Sequence, residues 1–164
     1  MKNLLLLMRH AKSERAETSP SDFERHLNYR GEQQPALIAK QINQLGISIG
    51  KALVSPSKRT VETWSLLKGA LSYAPNAVFE EDLYKASMEN FIRVIADNID
   101  DEHCVLVIGH CPSVIEATEF LTGEFHDFNT ADLAILSTKE HSAFTECLKR
   151  PHCFRFERML RADN

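Results

Sequence analysis

The chain has 164 residues, 43% hydrophobic and 26% charged, with a formal net charge of -4 at pH 7. That length and balance suit one folded domain over residues 1–164 and exclude a disordered chain. The acidic excess argues against a general nucleic-acid binder or a membrane-surface protein, both of which need a basic surplus.

The apolar run Leu4 to Met8 is too short for the core of a secretory signal, and Arg9-His10 follows at once, so it reads as a strand covered on both faces. From Ala11 to about Asn28 the chain is polar and without period, which predicts a long loop of functional or mobile character. A helix follows with Ile38, Ile42 and Leu45 on one face and Gly46 as its stop. Pro35 leaves two starting points open, one near Gln33 and one at an Asn28 cap with a kink. Lys51–Val54 is a short strand. Ser55 as N-cap and Pro56 at the first helical position then open a helix carrying Val61, Trp64 and either Leu67 or Lys68.

Ala77–Phe79 is a further short strand and Ser87–Ile99 a helix with Phe91, Ile92 and Ile95 inward. Cys104–Ile108 is a second continuous apolar run. Pro112 starts the next helix, with Val114, Ile115 and either Thr118 or Leu121 behind it and Gly123 beyond. Leu133–Leu136 and Cys153–Met159 close the series as strands, the last with one wet face. Alternating strands and helices imply an α/β fold, three layers around a mostly parallel sheet, with ligands beyond the carboxyl ends of the strands.

Three such ends carry chemistry. The first strand ends in Arg9-His10, the second leads into Ser55-Pro56-Ser57-Lys58-Arg59, and the run Cys104–Ile108 ends in Gly109-His110-Cys111-Pro112. Guanidinium forks match phosphate oxygens, and helix N-termini favour anions. The combination predicts a phosphate pocket containing imidazoles. A neutral ring nitrogen on His10 can attack phosphorus, and a second imidazole can donate to the equatorial oxygens. No Gly-rich phosphate loop occurs, and the pattern calls for no cofactor and no metal.

These segments resemble the histidine phosphatase superfamily. Leu6-Leu7-Met8-Arg9-His10-Ala11 is similar to its Arg-His-Gly signature, Ser55 to Thr63 to its Ser-Pro-x-x-Arg-x-x-x-Thr segment, and Gly109-His110-Cys111-Pro112 to its Gly-His-x-Pro segment. The opening Arg9-His10-Ala11-Lys12-Ser13 resembles the SixA-type phosphohistidine phosphatases. So does Arg25-His26-Leu27-Asn28-Tyr29-Arg30-Gly31, with His26 where that group has Pro. The resemblance implies a phosphoglycerate mutase-like α/β/α sandwich. It implies His10 as a transiently phosphorylated nucleophile, with Arg9, Arg59 and His110 completing the phosphate pocket and Cys111 lining it.

Lys12 and Arg25 are candidate substrate contacts, and Glu81 and Asp82 candidate acids. The Leu-x-Glu context that supplies a proton donor in phosphoester-cleaving relatives is missing, because Lys85 follows Leu83-Tyr84. The stretch from Phe79 to Cys104 is too short for a large cap insertion. Both departures suit phosphohistidine on a signalling protein, and the resemblance implies a histidine-containing phosphotransfer domain as the partner.

Rival readings are a phosphomonoesterase for a small metabolite, a non-catalytic phosphate-binding module, and a metalloenzyme using His10, His110 and Cys111. A monomer is expected. The four cysteines, Cys104, Cys111, Cys147 and Cys153, form no Cys-x-x-Cys pair and read as apolar packers in a reduced, cytoplasmic protein. Cys111, at a helix N-terminus beside His110, is the one placed for a lowered thiol pKa. His26, His103, His126, His141 and His152 read as surface or structural.

Overall fold

The computed structural model describes residues 2–139 and 142–163; His141 lies outside them. Six strands form one sheet: β1 (Leu4–Arg9), β2 (Lys51–Val54), β3 (Ala77–Phe79), β4 (Cys104–Gly109), β5 (Leu133–Thr138) and β6 (Phe154–Leu160). Their order is β3-β2-β4-β1-β5-β6. Strands β1 to β4 pair in parallel, β5 runs against β1, and β6 runs against β5, so only β5 is reversed. The mostly parallel sheet expected from the sequence is therefore present.

Side-chain alternation splits the core. Leu5 and Leu7 of β1 pack with Val105 and Val107 of β4 under α3 (Met88–Asp97), α4 (Ser113–Thr122) and α5 (Phe144–Leu148). Leu6 and Met8 pack with Leu106 and Ile108 under α1 (Tyr29–Gln44) and α2 (Lys58–Ala70). The result is an α/β/α sandwich in which β4 is buried throughout and β1 from Leu5 to Met8, as their continuous apolar sequence requires. No helix among the described residues is long and apolar enough to cross a membrane.

The second of the two starts allowed for α1 is the one adopted. Asn28 caps it, its side-chain oxygen accepting the Gly31 N–H at 2.9 Å, and Pro35 lies inside the helix. Leu45 departs from expectation. It is the C-cap residue and 40% exposed, because the helix ends before its turn can face the sheet.

The start of α2 also differs. Its N-cap is Ser57, two residues later than expected, and Ser55 is fully buried with its hydroxyl committed to His110. Short 3-10 turns at Ala16–Thr18 and Glu81–Leu83, and helix α5, add to the expected elements.

The segment after β1 is pinned along its length rather than free. Ala11 N–H donates to Thr63 Oγ1 (3.0 Å), Lys12 N–H to buried Gln34 (2.8 Å), and Lys58 N–H to the Phe23 carbonyl (2.9 Å). Ser13 bridges to Leu27. Gly31 makes this possible. A Cβ there would stand 1.9 Å from the Lys12 carbonyl oxygen, so only glycine lets α1 approach the chain just beyond β1.

Candidate active site

The parallel register places Arg9 beside Gly109, so β1 and β4 release His10 and His110 side by side. Their ring centroids are 5.3 Å apart. Arg59, in the first turn of α2, lies between them. Its Nε donates to His10 Nε2 at 3.3 Å, and its Nη2 to His110 Nδ1 at 3.3 Å. All three side chains are buried, at 7%, 8% and 5% exposure.

The hydrogen bonds fix the tautomers. His10 Nδ1–H donates to the Ala11 carbonyl at 2.7 Å, which leaves the Nε2 lone pair directed into the cleft. Because Arg59 donates to His110 Nδ1, His110 carries its proton on Nε2 and donates it to Ser55 Oγ at 2.8 Å. Burial is the main cause that pulls the His10 pKa down to about 3, and the neighbouring His110, Arg59 and Arg9 add to it. Burial and then Arg59 pull His110 down to about 4. Both rings are neutral at pH 7.

Arg9 completes this floor. Its Nη1 donates to the Phe128 carbonyl at 2.7 Å, and its Nε is a buried donor with no hydrogen-bond partner among the described residues. Arg25 Nε is buried without a hydrogen bond among the described residues and stands 3.6 Å from Asp22 Oδ1 in an ion pair, and Arg25 Nη2 donates to Ser13 Oγ at 2.9 Å. The unpaired Arg9 donor, on a residue that lines the cleft, is suited to an anion.

The cleft is a cavity of about 630 Å³ lined by Arg9, His10, Lys12, Ser13, Glu14, Arg15, Arg25, Asn28, Arg59, His110, Cys111 and Thr130. A neighbouring groove of about 410 Å³, lined by Asp22, Tyr84, Lys85, Ala86, Pro112 and Ser113, shares Arg59, His110 and Cys111 with it. The structure thus brings together Arg9, His10, Lys12, Arg25, Arg59, His110 and Cys111.

Glu81 and Asp82 line neither cavity. Both are exposed on the 3-10 turn, where Asp82 faces Arg93 at 3.3 Å. The Cys111 expectation is corrected as well. Burial outweighs the pull of Arg9 and raises its thiol pKa, so it is no activated thiolate. Among the described residues no cluster of three His, Cys, Asp or Glu side chains is arranged to hold a metal ion.

Three contributors were not read from the sequence. Ser55 orients His110. Asp22 accepts Arg59 Nη2 on Oδ2 at 3.1 Å and Arg59 Nη1 on its carbonyl at 2.7 Å, and Tyr84 donates its hydroxyl to the same carboxylate at 2.7 Å. Ser55 lies in the Ser-Pro segment, where the sequence alone reads as a helix cap. Asp22 lies in an aperiodic loop that offers no sequence signal.

A family model described as the histidine phosphatase superfamily (branch 1) matches residues 5–89. Among solved structures, the chain is similar to the protein histidine phosphatase SixA complexed with tungstate, at 21% identity and a TM-score of 0.79 over 97% of each chain. It is similar to a protein assigned as SixA from Nakamurella multipartitia, at 18% identity and 0.87, covering 100% of this chain and 98% of that one. A mycobacterial glucosyl-3-phosphoglycerate phosphatase matches at 11% identity and 0.68, covering 96% and 98%. At these identities the likeness is one of fold. No curated protein matches the sequence.

Proposed function

The chain belongs to the histidine phosphatase superfamily, and from that premise we propose that it hydrolyses phosphohistidine on a protein through a phosphoryl group carried transiently on His10. The observation that carries this reading is the His10 ring itself: Nδ1 tied to the Ala11 carbonyl and Nε2 unprotonated beside Arg59.

In the proposed sequence, Arg9, Arg59, His110 and the wall at Cys111 receive the phosphoryl oxygens. The Nε2 lone pair attacks phosphorus in line, the substrate P–N bond breaks as the P–Nε2 bond forms, and the departing imidazole takes a proton from solvent. Charge growing on the equatorial oxygens meets the Arg59 guanidinium and the His110 ring, whose proton affinity a bound dianion raises. Water then attacks phosphorus, His10 leaves with its lone pair, and phosphate is released.

Two features support an N–P substrate. Glu14 lines the main cavity; in the groove beside His110 the carboxylate among the described residues is Asp22, and it is held ionised: the Tyr84 hydroxyl bond, with Arg59 and Arg25 nearby, keeps its pKa below the usual carboxylate value. It has no proton to offer an alkoxide, whereas an imidazole leaving group needs less help. The cavity is also open, bordered by Lys12, Arg15 and Arg25, and fits a phosphorylated side chain presented by another protein such as a histidine-containing phosphotransfer domain.

A substrate panel tests the choice. Release of phosphate from a phosphohistidine-bearing phosphotransfer domain, at a kcat/KM well above those for sugar phosphates and phosphoserine, is the expected result. Fast turnover of a small phosphomonoester with no action on phosphohistidine would overturn it in favour of a metabolite phosphatase.

A further inference from the structure

Resting on the role proposed above for Arg59, we propose that Asp22 is a positioning residue that grips the outer edge of the Arg59 guanidinium and so aims its inner edge at the two imidazoles. One loop residue supplies both acceptors, its carbonyl to Nη1 at 2.7 Å and its Oδ2 to Nη2 at 3.1 Å. The guanidinium is planar, so fixing one edge fixes the other. The adjacent edge, which shares Nη2, then carries the Nε contact to His10 and the Nη2 contact to His110.

The same carboxylate ties down the neighbouring wall. Tyr84 donates to Oδ2, and its ring stands edge-on to His110, with centroids 5.5 Å apart, and to Phe23, at 5.0 Å. Phe23 is anchored in turn through its carbonyl to the Lys58 N–H at the start of α2. Asp22 therefore joins the loop after β1, the first turn of α2 and the segment before α3.

An anion beside a phosphate pocket opposes the ligand by simple Coulomb repulsion. Removing its charge therefore has two opposite consequences. The empty pocket becomes more attractive to an oxyanion, while Arg59 loses the geometry that stabilises the transition state. A residue that merely held the loop would, when changed, lower binding and turnover together.

The experiment compares wild type with Asp22→Asn, Asp22→Glu and Tyr84→Phe. It measures kcat on p-nitrophenyl phosphate, the Kd for tungstate, and the NMR resonance and solvent exchange of the Arg59 Nε–H. Asp22→Asn is expected to lower kcat by about 10- to 100-fold, with tungstate bound as tightly or more tightly and the Arg59 Nε–H exchanging faster. Asp22→Glu is expected to recover part of kcat, and Tyr84→Phe, which leaves Arg59 gripped, to lose less than Asp22→Asn. Asp22→Asn with kcat within twofold of wild type, a parallel fall of kcat and tungstate affinity, or an unchanged Arg59 Nε–H signal would overturn the proposal. Absence of wild-type turnover on p-nitrophenyl phosphate and on a phosphohistidine-bearing phosphotransfer domain alike would instead overturn the phosphatase reading, and the Arg59 signal would still decide the role of Asp22.

Discussion

Arg59 Nε stands 3.3 Å from His10 Nε2, so the pocket's most buried guanidinium donates to the lone pair that the Ala11 carbonyl has left free. The nucleophile is thus kept neutral and oriented before any phosphoryl group arrives. An incoming phosphate oxygen can accept the donor that Arg59 now gives to His10, which releases the lone pair at the moment it is needed.

Arg59 is accordingly expected to matter as a fork and not as a charge. Arg59→Ala should lower kcat/KM by roughly two to three orders of magnitude, and Arg59→Lys should recover little, since an ammonium cannot reach His10, His110 and Asp22 together. Steady-state kinetics on both variants check this. Near-wild-type activity in the lysine variant would count against it.

The two depressed imidazoles make stability depend on pH. Their folded values, about 3 for His10 and about 4 for His110, lie below the ordinary 6.5, so the unfolded chain binds more protons between those limits. Their contribution is therefore full above pH 6.5 and lost as pH falls below it. Each ring is expected to cost on the order of 1–2 kcal/mol of unfolding free energy between pH 7 and pH 5. Denaturant titrations at the two pH values should show this loss, and His10→Gln should reduce it by one ring's share. An identical pH response in His10→Gln would contradict the buried neutral imidazole.

Gly31 and Gly69 are expected to behave in opposite ways. A Cβ at Gly31 meets the Lys12 carbonyl oxygen at 1.9 Å, whereas at Gly69 it meets nothing within 4 Å. Gly31→Ala should destabilise by roughly 3 kcal/mol or more and disturb the chain between His10 and Ser13. Gly69→Ala, within α2, should hold or raise the melting temperature. Thermal melts on the pair are the check, and equal melting temperatures would refute the close approach at Gly31.

Glu81→Gln and Asp82→Asn should leave kcat within about twofold of wild type, since exposed substitutions away from a site rarely matter. Both side chains line neither cavity. A large loss of kcat in either variant, with KM unchanged, would show an acid reaching the leaving group.

Much of this site was legible because its residues sit where strands end. Leu4 to Met8 and Cys104 to Ile108 are apolar on both faces, which only a doubly covered strand tolerates, so the positions of Arg9, His10 and His110 followed from the pattern. The reversal of β5 was not legible, since an apolar run carries no record of its direction. Ser55 was misplaced because a Ser-Pro pair reads as a helix cap, while its burial against His110 is a tertiary fact. Asp22 was invisible for the same reason: its partners, Arg59 and Tyr84, are brought to it only by the fold.

The central claim is a covalent phosphoryl group on His10. Wild type and His10→Ala are incubated with a radiolabelled phosphohistidine phosphotransfer domain, quenched in acid and in alkali, and the labelled peptide is mapped. The account predicts an acid-labile, alkali-stable adduct on the peptide containing His10, absent from the variant together with turnover. Label on any other residue, or turnover that persists without His10, would contradict it.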